Sequence, residues 1–134
     1  MYWVDLSHSS SVPFAGLLLL LLWSACISMA QTSSSVEEEA YEHHRAGLLN
    51  MSMARFEEAI GDFRKAAALL SDYQIRGRPL VYTPIFMMAW AYEKLGRFRE
   101  ACGYYQRFLE ISPTGLIEPT KALHAREVLD QECE

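Results

Sequence analysis

The chain has 134 residues, of which 51% are apolar, and its formal net charge at pH 7 is -5. This length gives room for one small domain and not for two separate hydrophobic cores. The acidic balance argues against a nucleic-acid partner, because phosphate binding requires an excess of Lys and Arg clustered on one face.

The N-terminal 30 residues have the pattern of a secretory signal peptide. Their apolar stretch runs from Phe14 to Ala25 and contains six consecutive leucines, so it is shorter than the roughly 20 residues that a transmembrane helix needs. The small residues Ser28 and Ala30 favour cleavage after Ala30. We therefore interpret residues 1–30 as a leader, residues 31–35 as a polar linker and residues 36–134 as the folded domain.

Two other interpretations of the leader stay open. Residues 1–13 contain Asp5 and no Lys or Arg, whereas an export signal usually begins with positive charge, so a retained membrane anchor is the first alternative. The second is lipidation of Cys26, because Trp23-Ser24-Ala25-Cys26 resembles the lipobox of bacterial lipoproteins; Cys26 as a small apolar residue of the leader is the simpler interpretation. Cleavage predicts a periplasmic or secreted protein, and retention predicts a membrane-anchored one.

Two amphipathic helices are predicted after the linker. The first begins near Val36, with Ser35 as its N-cap, and runs to about Met53. The second runs from about Arg55 to Leu70 and has apolar residues at the three- and four-residue spacing of a buried stripe. Those residues are Phe56, Ala59, Ile60, Phe63, Ala66, Ala67 and Leu70.

Three more helices are predicted in the second half. Thr83 and Pro84 are interpreted as the N-cap and first residue of a helix that Gly96 ends. A fourth helix covers residues 98–111, and the last covers about residues 119–133. The apolar stripe of the last helix consists of Ala122, Ala125, Val128 and Leu129, with His124 on its outward side.

Residues 85–113 resemble a tetratricopeptide repeat. Seven residues follow the family pattern W-x2-L-G-x2-Y, A-x3-F, P: Ile85, Met88, Ala89, Tyr92, Ala101, Tyr105 and Pro113. The same offsets counted from His43 give a degenerate first copy with Ala46, Gly47, Asn50, Ala59, Phe63 and Ser71. The resemblance implies an all-α, tetratricopeptide-like helical hairpin array with repeats at about 40–73 and 82–115 and a capping helix at about 119–133.

Two cysteines remain once the leader is set aside, namely Cys102 and Cys133. If the last helix returns antiparallel to the fourth, Cys133 comes within about one helical turn of Cys102. A disulfide and two unpaired thiols are both compatible with this arrangement.

The resemblance also implies where a partner would bind, because the first helix of each pair lines the concave side in this family. The corresponding residues are Tyr41, His44, Leu48, Met51, Phe86, Trp90 and Lys94. This lining is mostly apolar and suits a partner peptide or amphipathic helix. Leu48 and Trp90 stand where some members have the Asn and Lys that hold a terminal carboxylate, so recognition of an acidic chain end is not expected.

These residues predict a non-catalytic protein-protein interaction module, an adaptor or assembly factor. The main alternative is a self-associating structural domain, a homodimer with the groove buried in its interface. A sensor of an apolar small molecule is a third interpretation.

Catalytic and cofactor sites are not predicted. The sequence has no Gly-rich phosphate loop and no nucleophile motif. Glu39 and His43 lie one turn apart, but they supply two ligands where zinc needs three or four. We interpret His43 instead as a hydrogen-bonded histidine on the packing side of its helix, and we expect neither a metal nor a cofactor.

Overall fold

The computed structural model describes residues 34–72, 79–112 and 118–133, and in these ranges the chain forms five α-helices and no strand. The helices are α1 (residues 34–52), α2 (Phe56–Asp72), α3 (Pro79–Lys94), α4 (Phe98–Ile111) and α5 (Pro119–Glu132). The predicted all-α array of helical hairpins is confirmed. The predicted leader, including Cys26, and Pro113 lie outside the described residues.

Aromatic contacts give the relative direction of α3 and α4. Phe86 near the start of α3 pairs with Phe108 near the end of α4, with ring centroids 5.2 Å apart, whereas Tyr92 pairs with Tyr104 at 5.4 Å. This order makes α3 and α4 antiparallel. Gly96 ends α3 with φ 71°, the left-handed conformation that glycine adopts without strain, so its predicted role is confirmed.

Helix α3 is the centre of the core. It packs against α2 on one side and α4 on the other, and residues 84–89 are all buried. Alanines at the contacts let the helix backbones approach closely, because a methyl group holds two helices apart less than a larger side chain does. The alanines with no exposed surface are Ala40, Ala59, Ala66, Ala89, Ala91, Ala101 and Ala125.

Two predicted helix starts are wrong. Helix α1 already includes Ser34, so Ser35 is not its N-cap. Helix α3 begins at Pro79, about one turn before Thr83, and Pro84 lies inside it. The ring of Pro84 removes one backbone hydrogen bond, but the additional turn buries Tyr82 against Phe108, with ring centroids 6.3 Å apart.

Helix α5 covers the end of the array. It packs on α4 through Ala125 and Val128, which are buried, and through Ala122 and Leu129, which are half-buried. The predicted apolar stripe of the capping helix is therefore confirmed. A disulfide joins Cys102 of α4 to Cys133, directly after α5, with the two Cα atoms 5.9 Å apart.

A helix that crosses a bilayer needs roughly 20 predominantly apolar residues. None of the helices in the three described ranges combines the length and apolarity that crossing a bilayer requires.

Gly47 of α1 provides a test of this packing. A Cβ atom at Gly47 would lie 2.6 Å from Cε1 of Phe63, a ring with no exposed surface and therefore no free space to move into. We expect Gly47→Ala to lower the free energy of unfolding by about 1–3 kcal/mol in urea titrations, despite the better helix propensity of alanine.

Gly61→Ala is the matched control. A Cβ atom at Gly61, in the interior of α2, meets nothing within 4 Å, so this variant should be stabilised by up to about 1 kcal/mol. Equal effects of the two substitutions would contradict the close approach of α1 and α2.

Candidate functional site

Side chains of α1, α3 and α5 meet on one side of the array, which we call the inner face. The ring of His124 on α5 lies 6.2 Å from the ring of Phe86 on α3. Lys121 on α5 is close enough to His44 on α1 for its ammonium group to lower the pKa of that imidazole. The inner face consists of Tyr41, His44, Leu48, Met51, Phe86, Trp90, Glu93, Lys94, Lys121 and His124.

Five of the seven predicted binding residues are at least partly accessible. Tyr41 and Leu48 are 49% and 42% exposed, and Lys94 is exposed as well. Met51 and Trp90 are half-buried and pack against the core. These residues give the inner face an accessible apolar strip along α1, Tyr41 and Leu48, and a partly accessible indole on α3.

Phe86 was predicted to line the groove, and this prediction is wrong. Only 5% of its surface is exposed. Its ring packs edge-on against Tyr105 at 5.6 Å and Phe108 at 5.2 Å, and the imidazole of His124 covers it. Phe86 is a core residue because α5 lies over the part of α3 that the sequence pattern leaves open.

The predicted binding role of His44 is also wrong. His44 is 9% exposed and packs 5.3 Å from the ring of Phe63, whereas His43 is half-buried. The buried residues of α1 are Val36, Ala40, His44 and Gly47. The residues 42 positions after the last three, Tyr82, Phe86 and Ala89 of α3, are buried as well, so the two helices keep the same repeat offset.

His44 is held in the neutral form. Burial lowers the pKa of His44, and repulsion by the ammonium group of Lys121 lowers it further. Its Nδ1 atom has no hydrogen-bond partner among the described residues. The imidazole therefore packs as part of the core and is not available to contact a partner.

A hydrogen-bonded group ties three helices together at the edge of the inner face. Glu93 of α3 accepts a hydrogen bond from the hydroxyl of Tyr105 of α4, at 2.6 Å, through its Oε2 atom. The same oxygen lies 2.9 Å from Nε2 of His124 of α5. The prediction that His124 points outward is wrong.

The spacing of residues in α5 indicates the inward position of His124. Lys121, His124 and Val128 follow one another at three- and four-residue spacing, which places His124 on the same side of α5 as buried Val128. Its partner Glu93 is distant in the chain, so no local pattern identifies the pair.

The inner face has charge on both of its sides. Nζ of Lys94 lies 5.6 Å from the ring centroid of Trp90, a distance at which a cation is attracted to an indole. On the α5 side, Lys121 forms an ion pair with Glu118.

Among the described residues, no group of three or more His, Cys, Asp and Glu side chains has a metal-binding arrangement.

Comparison with known proteins identifies the second helical hairpin. Residues 84–114 match the family model of the tetratricopeptide repeat. The matched residues include most of α3 and all of α4. None of the curated proteins or solved structures matches the chain. Tetratricopeptide repeats generally mediate protein-protein interaction and build extended concave surfaces, so the match supports a role in binding.

The neutral state of His44 predicts a pH dependence of stability. Because the pKa of His44 is lower in the folded protein than in the unfolded chain, the unfolded chain binds more protons below about pH 6.5. The free energy of unfolding should therefore fall as the pH drops from about 7.5 to about 5.5. In His44→Phe, urea titrations over the same range should show a smaller fall.

Lys121→Met should also reduce this fall, but by less than His44→Phe, because burial is the larger cause of the shift. The same pH dependence in the wild type and in His44→Phe would contradict the burial of a neutral imidazole.

The hydroxyl of Tyr105 predicts a second pH dependence, at alkaline pH. Burial and the hydrogen bond to Glu93 raise the pKa of Tyr105, so the unfolded chain loses this proton first, from about pH 10 upward. Tyr105→Phe should lower the free energy of unfolding by about 1–3 kcal/mol near pH 8, because the hydrogen bond to a carboxylate is lost.

This difference between wild type and Tyr105→Phe should shrink above about pH 10, where the hydroxyl no longer stabilises the folded state. Short urea titrations at the two pH values measure it. A difference that stays constant or widens would show that Glu93 and Tyr105 are not paired as described.

Proposed function

We propose that this chain is a non-catalytic protein-interaction module, an adaptor or assembly factor, that binds a peptide or helix of a partner protein along its inner face. The observation that carries the proposal is the exposure of an apolar strip, Tyr41 and Leu48, on α1 together with the partial exposure of Trp90 on α3. The tetratricopeptide match in residues 84–114 supports the same class of function.

The strip has the composition of an interface centre. Tyr41 and Leu48 lie two helical turns apart on one side of α1, and Trp90 adds an indole that the core already holds in position. Tyrosine and tryptophan are the residues that most often dominate binding energy, because they bury large areas while losing little conformational freedom.

The charges beside the strip favour one orientation of the partner. Lys94 lies next to Trp90, and the carboxylate of Glu93 lies on the α5 side with His124. An amphipathic helix could place apolar residues at i, i+3, i+4 and i+7 on the strip, with an acidic residue toward Lys94. Such peripheral charge pairs set orientation and association rate more than affinity.

Self-association is the second candidate. Leu49 is 60% exposed and Leu48 is 42% exposed, so α1 presents neighbouring apolar side chains to solvent. Small domains tend to bury such surfaces by association. A homodimer through α1 would cover the same strip that we assign to a partner.

We also propose export of the mature domain after cleavage following Ala30, to the periplasm or the exterior. The leader pattern of residues 1–30 supports this proposal. The disulfide between Cys102 and Cys133 agrees with it, since disulfides persist in oxidising compartments. The retained anchor and the lipidated Cys26 are the alternatives that mass spectrometry of the native protein would distinguish.

Site-specific photo-crosslinking in the native cell tests the binding face. A photoreactive residue at Leu48 should form an adduct with a different protein, and the same residue at Leu123 should not. Leu123 is the matched control, because it is 67% exposed on α5 and does not belong to the inner face. An adduct at position 48 with a second copy of this chain would favour the homodimer instead.

Affinity for the crosslinked partner segment provides the quantitative test. Tyr41→Ala and Trp90→Ala should each weaken binding by about tenfold or more, and Leu123→Ala should leave it unchanged. Circular dichroism of each variant checks that the helices are intact. Equal affinities of all variants would exclude the inner face as the binding surface.

A further inference from the structure

Helix α5 is held by a small apolar contact. Its buried side chains among the described residues are Ala125 and Val128, whereas α4 buries the large rings of Tyr105 and Phe108. Apolar stabilisation scales with the buried area. Hydrophobic packing therefore holds α5 less firmly than it holds α4.

Two specific contacts supplement this packing. His124, in the first half of α5, is paired with Glu93 of α3. Cys133, directly after α5, is joined by the disulfide to Cys102 of α4. The disulfide is the only covalent cross-link among the described residues. It holds the C-terminal end of α5, whereas His124 holds the N-terminal half.

The position of α5 determines the shape of the inner face. The His124 ring lies 5.7 Å from Tyr105 and 6.2 Å from Phe86, so α5 shields two core rings. The ammonium group of Lys121 on the same helix adds to the effect of burial in lowering the pKa of His44. Movement of α5 away from α4 would uncover Phe86 and remove one side of the inner face.

The disulfide is accessible to a small reagent. Cys102 and Cys133 are both half-buried and not enclosed in the core. A thiolate can therefore approach the sulfur pair without prior unfolding of α3 or α4, and access of this kind is a requirement for thiol-disulfide exchange.

We infer that the Cys102–Cys133 disulfide is a redox-sensitive clamp that keeps α5 docked on α4 and so completes the inner face. A dithiol reductant opens the clamp in two exchange steps. Its first thiolate attacks one sulfur, forms a mixed disulfide and releases the other cysteine as a thiolate. Its second thiol, as thiolate, then closes the reductant into a cyclic disulfide and releases the second cysteine. The reductant supplies both electrons, and solvent protonates the cysteines.

The inference does not depend on the proposed function, because it concerns the docking of α5 and not the identity of a partner. A protein whose inner face binds nothing would still show the clamp. Conversely, the absence of a clamp would leave the Tyr41 and Leu48 strip intact.

Hydrogen-deuterium exchange tests the clamp in the full chain carrying Cys26→Ser, which removes the third thiol. We expect dithiothreitol to speed amide exchange in residues 119–132 by about 10- to 100-fold, while exchange in residues 85–94 stays within about twofold. Reoxidation should restore the slow exchange. Unchanged exchange in α5 would overturn the inference, and so would an equal acceleration in α3, which would make the disulfide a general staple of the fold.

Substitution of the cysteines controls for the reductant itself. Cys102→Ser and Cys133→Ser should each reproduce the fast exchange of α5 without dithiothreitol, and adding it should change nothing further. If a serine variant fails to fold, reduction of the already folded protein still decides the question. A reductant effect that persists in the serine variants would contradict the clamp.

Discussion

The enclosure of α3 is the constraint on which the rest of the structure depends. With α2 and α4 packed against it and His124 of α5 over Phe86, this helix buries all of residues 84–89 as well as Ala91 and Tyr92. That enclosure tolerates a proline inside the helix, because the packing of its neighbours outweighs one missing backbone hydrogen bond. It also explains why small alanines occupy the helix contacts, since larger side chains would hold the helices apart.

The same enclosure decides what the inner face can offer to a partner. Because Phe86 and His44 belong to the core, the accessible apolar side chains of the inner face are those of α1 and the exposed part of Trp90. Helix α5 therefore has two effects. Its His124 shields the rings of Phe86 in α3 and Tyr105 in α4 from solvent, and its position determines how much of the inner face is accessible.

The sequence predicted the α3/α4 hairpin well because its information is local. The offsets from Ile85 to Tyr105 and the turn at Gly96 lie within one helical pair. The apolar stripe of α5 lies within one helix, so it could be predicted in the same way. The burial of His44 was not predicted, because it depends on contact with Phe63 of α2, which the local pattern of α1 does not show. Glu93 and His124 pair across distant parts of the chain, which no spacing rule identifies.

The most direct test of the central claim is a set of nuclear Overhauser effects from the ring protons of Phe86 in the oxidised protein. The account predicts cross-peaks from Phe86 to the rings of Phe108, Tyr105 and His124, whose centroids lie 5.2, 5.6 and 6.2 Å away. Their presence together would establish that α4 and α5 close over α3. Cross-peaks to Phe108 alone, with none to His124, would contradict the enclosure and leave Phe86 open on the inner face.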